Sequence, residues 1–411
     1  MTTVINERRR TKAYLAGFVA TILTGSILYG AYLYNRPLPE VKAIVSAKQN
    51  ADQPGESVPI AWPAYGQSAI GMTGRGLLAS SGTNQKPVPT ASVAKVMTAL
   101  AVLQKKPLAV GEKGPMLTVT ANDVAIFNNY LALDGSLVKV AEGEKISQYD
   151  ALQALMLPSA NNMADLLANW AFGSIEAYSQ YANQYAKAHG MTHSTFSDAS
   201  GFSPNTVSTA DDLIQLGLLA LKNPVLAEII AKPTANIPLG DAVGPIYNVN
   251  GLLGKNGING IKTGATDQAG GVFLTSADRQ IGDENTTVLA VVMGGPSLET
   301  AMRATLPLLD TASGNLTRKT LAKAGTVYGS YTAPWSKQTV KAVASRDVSM
   351  LAWKGDNYTS RIELRPIRGQ QSDGSNVGNV TIKASSQESI VPLELKGSVS
   401  KPDFRWRLKR D

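Results

Sequence analysis

Residues 90–100 read TASVAKVMTAL. Ser92 stands three places before Lys95, just where an apolar run begins, so the stretch reads as a helix start with the two side chains one turn apart on one face. Two accounts fit. In the first, Thr90 or Ser92 caps the helix and Lys95 is solvated. In the second, Ser92 is a nucleophile and Lys95 its base. A serine hydroxyl is unreactive until a base removes its proton, and a lysine can do so near pH 7 only if its pKa falls far below the ordinary value of about 10.4. Burial and a second positive charge both push it down, and Val96, Met97, Leu100, Val102 and Leu103 supply buried positions. A Ser-x-x-Lys pair arises by chance about once or twice in a chain of this length, and Ser136 with Lys139 and Ser398 with Lys401 repeat it. The stretch alone does not choose.

Two further stretches bear on the choice. In MLPSANNMAD (156–165), Ser159 and Asn161 fall in a loop between a helix ending at Pro158 and another starting at Asn162. Such a loop points a hydroxyl and an amide into one cleft; the plain alternative is capping, and Ser203 with Asn205 repeat the pair. In GIKTGATDQAGG (260–271), Lys262, Thr263 and Gly264 end a strand. An edge strand there offers backbone groups to an extended peptide, and Lys262 and Thr263 present a charge and a hydroxyl to a carboxylate. Gly264 permits close approach; the plain alternative is an ordinary strand end.

Composition narrows the chemistry. The 411 residues contain no cysteine and only two histidines, His189 and His193. Disulfides and thiolate sites are excluded, and no metal or cofactor is expected. Hydrolytic chemistry therefore falls to Ser, Thr, Lys, Asp or Glu. The net charge of +8 suits anionic surroundings such as phospholipid or acidic polymers. The basic residues are scattered and carry no nucleic-acid motif, so nucleic acid is not expected as a partner.

Residues 1–12 form a basic tail ending in Arg8, Arg9, Arg10 and Lys12, before an uncharged stretch at 13–34. Twenty-two residues in a helix span about 33 Å, enough to cross the hydrocarbon core. Tyr14, Tyr29, Tyr32 and Tyr34 cluster near its ends as interfacial aromatics do, and the basic flank places the following chain outside the cytoplasm. A cleaved signal peptide would have a shorter apolar region and a small-x-small site. We therefore expect an uncleaved transmembrane helix, then a polar spacer over 35–57.

From residue 58 the texture is globular. QSAIGM and GLLASS flank a turn at Thr73–Arg75, helices follow over 92–232, and the short β-branched runs INGIKTG, GGVFLTSA and TTVLAVVMGG precede a helix that closes the domain near 316. Strands at both ends with helices between predict an α/β domain, more narrowly α+β, over 58–318: one antiparallel sheet and a helical subdomain. Residues 319–411 read as a small all-β domain. Their tail, KPDFRWRLKRD, reads either as a last strand or as a basic-aromatic patch on a membrane.

The three motifs stand 67 and 103 residues apart, each on a suitable element. Ser-x-x-Lys, Ser-x-Asn and Lys-Thr-Gly in this order are the signature of penicillin-binding proteins and serine β-lactamases. Together with AHGMTHSTFSDASGFSP and STADDL, they make the chain from about residue 60 resemble the serine D-alanyl-D-alanine carboxypeptidases, the low-molecular-mass penicillin-binding proteins. The resemblance implies a β-lactamase/transpeptidase-like catalytic fold, peptidoglycan stem peptides as substrates, and β-lactams as covalent inhibitors. It implies Ser92 as nucleophile, Lys95 as base and Ser159 as proton relay. Asn161, Lys262, Thr263 and Gly264 would hold substrate, with the N–H groups of Ser92 and Ala265 as oxyanion hole. Ala301 stands where relatives often carry a basic residue, and Arg303 lies two places on. A β-lactamase, with Glu176 as the nearest candidate for its glutamate, a D,D-endopeptidase, and a catalytically silent wall-binding protein remain alternatives.

Overall fold

The structure is a computed structural model that describes residues 2–46, 53–239, 245–384 and 387–410. The chain divides into two compact units. One comprises 56–318 with 351–355; the other comprises 1–55, 319–350 and 356–411.

The second of these begins with helix α1 (Thr2–Asn35), whose segment Arg9–Asn35 is long and apolar enough to cross a membrane. Leu15, Phe18, Ile22 and Leu28 all stand exposed on it, which is the surface of a helix made for an apolar surround.

The unit at 56–318 is built on five antiparallel strands. They are β1 (Gln67–Met72), β2 (Gly76–Ser80), β3 (Ile258–Thr266), β4 (Gly270–Ile281) and β5 (Glu284–Gly295). Their order is β3-β4-β5-β1-β2, so strands from both ends of the unit share one sheet, as expected, and β3 is an outer strand. The central strand shows why its sequence is apolar at almost every position. Leu289, Val291 and Met293 enter one core with Ile214 and Leu274, while Val288, Ala290 and Val292 enter another with Leu308 and Leu309. Alternate side chains point to opposite faces, and both faces are covered.

The covering helices are α2 (Lys95–Lys105), α3 (Ala121–Ala132), α4 (Gln148–Met156), α5 (Asn161–Phe172), α6 (Ile175–Ala188), α7 (Ala210–Lys222) and α8 (Leu298–Gly314). Helix α2 packs on α4, α5, α6 and α7, and is buried from Lys95 to Leu103. Burial on every side, rather than a single apolar stripe, makes it the centre of the helical subdomain. Helix starts carry the caps their sequences announce: Thr120 with Asp123 forms a capping box, and Ser147, Ser174 and Thr209 cap α4, α6 and α7.

The other unit contains β6 (Val327–Thr332), β7 (Thr339–Ala344), β8 (Tyr358–Leu364), β9 (Asn376–Ala384) and β10 (Gln387–Lys396). They form an antiparallel sheet ordered β8-β9-β10-β7-β6, around a core that includes Tyr331, Val380, Val391 and Leu393. Two expectations need correction here. Residues 35–57 are not simply a spacer. Ile44–Val45 extend this sheet beside β6, and Glu40–Val41 pair with Ile367–Arg368, where Arg368 also bonds Glu40 at 2.6 Å. Residues 47–52 of that stretch lie outside the described residues. The tail is no strand either: Phe404–Lys409 form helix α9, capped by Asp403, whose Oδ1 accepts from the Trp406 N–H at 2.7 Å.

Candidate active site

Ser92 sits in a single 3-10 turn, Ala91–Ala94, that runs into α2. The turn is held from behind: Thr90 N–H donates to Thr206 O at 3.1 Å, and Val88–Pro89 pair with Val207–Ser208. Ala91 adopts a positive φ of 46°, a conformation costly for a residue with a Cβ. Ala91, Val93 and Ala94 are buried while Ser92 is partly exposed. The capping account fails here. Thr90 makes no capping bond, and its hydroxyl lies 3.4 Å from Thr206 O instead.

Lys95 is fully buried. Its Nζ lies 2.9 Å from Ser92 Oγ, 2.7 Å from Asn161 Oδ1 and 2.9 Å from Ser200 O. Counting protons gives these contacts a chemical meaning. The Asn161 and Ser200 oxygens can only accept, so they take both N–H groups of a neutral amine. Its lone pair then faces the Ser92 hydroxyl, the arrangement a general base needs. Burial lowers the Lys95 pKa well below its ordinary value, and Lys262 lowers it further; Asp198 and Asp165 oppose the shift.

Ser159 and Asn161 do not cap α5 either, because Ala160 occupies the cap position and no side-chain bond is made there. Helix α4 ends at Met156 and α5 starts at Asn161, so the loop is 157–160, one residue longer than expected and set slightly earlier in the chain. Ser159 has a φ of 66°, is buried, and its Oγ has no hydrogen-bond partner. A buried hydroxyl left unsatisfied costs about 1–3 kcal/mol. A buried hydroxyl held at a positive φ without a partner is a group kept for something other than local stability. Asn161 is fixed by its own backbone N–H, which donates to Ser136 O at 2.8 Å.

Lys262, Thr263 and Gly264 lie within β3, which continues to Thr266 rather than ending at the motif. Strand β3 packs on the Ser92 turn. A Cβ on Gly264 would stand 2.9 Å from Ser92 N and 3.0 Å from Ala91 Cβ, so only glycine leaves that N–H open. Ala265, next along, is exposed and pairs with Gly271. Lys262 is buried, with Nζ donating to Thr263 O at 3.1 Å. Burial brings its pKa down to about 7. The structure thus brings Ser92, Lys95, Asn161 and Ser200 into direct contact, and sets Gly264 of β3 against the backbone of Ser92.

Sequence reading missed the support around Lys95. The Ser200 carbonyl that holds the amine is a backbone atom and has no residue-type signature. Asp198 braces its loop, accepting from Ser200 Oγ, Phe202 N–H, Ser203 N–H and Thr206 Oγ1. The stretch SDASGFSP held the signal, an aspartate followed by small and turn-forming residues. Tyr130, whose hydroxyl lies 3.3 Å from Ser200 Oγ, had none. Two weighed residues have other employment. Glu176 is exposed in the first turn of α6, its carboxyl held below the usual range by hydrogen bonds with its own backbone and Ser174. Arg303 is an exposed partner of Glu299 at 2.6 Å on α8.

Known proteins resemble this chain in sequence and in fold. The pattern of the D-alanyl-D-alanine carboxypeptidase family matches residues 68–297. The chain is 31% identical over 223 residues to D-alanyl-D-alanine carboxypeptidase DacC of Escherichia coli, covering 53% of this chain and 54% of that protein. It is 30% identical over 190 residues to a D-alanyl-D-alanine endopeptidase of Pseudomonas aeruginosa, covering 44% and 57%. The chain thus spans a little over half the length of these curated relatives. Among solved structures, D-alanyl-D-alanine carboxypeptidase DacD from Francisella tularensis superimposes with a TM-score of 0.60 at 20% identity, over 84% of this chain and 96% of that one. At that identity the likeness is one of fold.

Proposed function

The chain belongs to the D-alanyl-D-alanine carboxypeptidase family, the low-molecular-mass penicillin-binding proteins, and from that footing we propose that it is a membrane-anchored serine D-Ala-D-Ala carboxypeptidase. Its substrates are peptidoglycan stem peptides, and β-lactams acylate the same serine. One observation carries the reading: the Lys95 amine stands 2.9 Å from Ser92 Oγ with its other two contacts fixed on acceptors.

The reaction runs as follows. Ser92 Oγ attacks the carbonyl between the two D-alanines as Lys95 takes its proton. The N–H groups of Ser92 and Ala265 receive the oxyanion, a contribution of several kcal/mol when the donors are fixed. Ser159 passes a proton to the departing D-alanine amine, leaving an ester on Ser92 that water hydrolyses. Asn161 holds Lys95 and the substrate amide. Lys262 and Thr263 bind the terminal carboxylate, which supplies a counter-charge for buried Lys262, whose Nζ meets no carboxylate in an ion pair among the described residues.

The helix Thr2–Asn35 is the anchor, its basic flank cytoplasmic and the remaining chain on the wall-facing side. Residues 58–318 are the catalytic domain, and 319–411, apart from 351–355, the second, mainly β domain, which ends in helix α9. The placement of Glu176 on an exposed helix start disfavours the β-lactamase reading. Endopeptidase action is the same chemistry on a cross-linked peptide, and the product distinguishes them.

Because Ile44–Val45 are a strand of the second sheet and Glu40–Val41 pair with Ile367–Arg368, the sample to test is the full chain in detergent. Incubated with a stem peptide ending in D-Ala-D-Ala, it is expected to release free D-alanine, and the Ser92→Ala variant is expected to release none. Absence of release from folded protein across several stem peptides, or cleavage of cross-linked dimers alone, would overturn the carboxypeptidase reading.

A further inference from the structure

Helix α2 carries Thr98 one turn beyond Lys95, on the same face. Thr98 is fully buried, and its Oγ1 donates to Ala199 O at 2.6 Å. Lys95 Nζ meets the next carbonyl, Ser200 O, at 2.9 Å. Two residues of one helix face thus hold two consecutive carbonyls of the same loop. The hydroxyl of Tyr178, on α6, lies 2.8 Å from Thr98 Oγ1, and Tyr178 is fully buried as well. Proton counting sets the direction of that bond. Thr98 has one hydroxyl proton and gives it to Ala199, so Tyr178 donates and Thr98 accepts. The chain of bonds from Tyr178 through Thr98 to Ala199 joins α6, α2 and the loop without passing through a charged group.

The other supports of this loop act elsewhere. Asp198 accepts from the Ser200 hydroxyl at 2.8 Å, and so holds its side chain. Gly201, at a φ of 74°, packs on the Ser92 turn, where a Cβ would overlap the Ala91 carbonyl oxygen. Thr98 instead holds the backbone carbonyl immediately before the one that Lys95 uses. We propose that Thr98 and Tyr178 are positioning residues for Lys95: Tyr178 fixes the Thr98 hydroxyl, and Thr98 fixes the backbone at Ala199, so that the Ser200 carbonyl stays where it turns the lysine lone pair towards Ser92. The proposal rests on the reading of Lys95 as the base. Without the Thr98 hydroxyl, the buried Ala199 carbonyl and Tyr178 hydroxyl must find other partners, and the loop shifts to supply them.

The test is acylation of the full chain by a fluorescent penicillin at a series of concentrations, which separates the limiting rate from the concentration that gives half of it. The proteins are the unaltered chain, Thr98→Val, Thr98→Ser, Tyr178→Phe and Lys95→Ala. Thr98→Val keeps the shape and removes the hydroxyl. It is expected to lower the limiting rate by about tenfold or more, with the half-rate concentration little changed, because a misplaced amine slows proton removal and not binding. Thr98→Ser returns the hydroxyl and is expected to return most of the rate. Tyr178→Phe leaves the Thr98 bond to Ala199 but no longer fixes the hydroxyl, so it is expected to lower the same rate by less. The limiting rate is read per folded molecule, so a loss of stability alone does not move it. Three results would overturn the proposal while leaving Lys95 as the base: an unmoved limiting rate in Thr98→Val, a change confined to the half-rate concentration, or Thr98→Ser as slow as Thr98→Val. Normal acylation by Lys95→Ala would count against the base itself and so against both readings. Should Thr98→Val fail to fold, Tyr178→Phe carries the test, and an unmoved limiting rate there would overturn the proposal.

Discussion

Lysines 95 and 262 are both buried, and burial favours the neutral form of each, with the charge of Lys262 pushing Lys95 further the same way. For Lys262 this has a measurable consequence. Its pKa of about 7 belongs to the empty site, and a bound carboxylate would raise it by favouring the ammonium form. Substrate binding should therefore take up a proton, and affinity should fall as pH rises above 7, by up to about tenfold per unit. Calorimetry of a D-Ala-D-Ala peptide binding to the Ser92→Ala variant, from pH 6 to 9 in buffers of differing ionisation enthalpy, measures both. Affinity flat across that range, with no proton uptake, would mean that Lys262 does not meet the carboxylate. At this scale the contacts made by side chains were legible: Ser92, Lys95 and Asn161, which the structure brings together, stand out in the sequence by type and spacing. Ser200 acts through its carbonyl, and Tyr130 through its contact with the Ser200 hydroxyl, and neither has a spacing to read.

Elements were legible where one period dominated. MADLLANWAF gave a helix by its period, whereas TTVLAVVMGG, buried on both faces, gave a strand by its short β-branched run and its bounding glycines. The tail misled because Phe404, Trp406 and Leu408 alternate with basic residues, a period of two, whereas the deciding signal was the single cap Asp403. Helix α9 is held by its partner. The last carbonyls of any helix lack internal donors; here Arg407 donates to Tyr34 O at 2.7 Å, and Arg410 to Leu33 O at 3.3 Å and Pro37 O at 3.1 Å. The Arg407 guanidinium also stacks over Tyr34, 4.8 Å from the ring centre, and Trp406 meets Trp335. Replacing Arg407 and Arg410 together by alanine should release α9, so that trypsin cuts after Arg405 roughly threefold faster or more, with the catalytic unit unaffected. Unchanged cleavage would show that the aromatic contacts alone hold it.

On the scale of the whole molecule, each unit has its own apolar core, and the chain of one is interrupted by segments of the other, as residues 351–355 show. Composition indicated two folded regions by the change of texture near residue 319. It did not indicate that Ile44–Val45 join the second sheet or that Glu40–Val41 pair with Ile367–Arg368, since two-residue strands carry no periodicity. The net charge of +8 and the exposed apolar helix together suit a chain working against an anionic membrane face. Everything proposed for the intact protein rests on a single bond, the ester on Ser92. The most direct test is the intact mass of the full chain after exposure to penicillin, with the modified peptide mapped. The account predicts one adduct per chain, located at Ser92, absent from Ser92→Ala and formed far more slowly by Lys95→Ala. An adduct that persists in Ser92→Ala, or none in the unaltered folded chain, would contradict it.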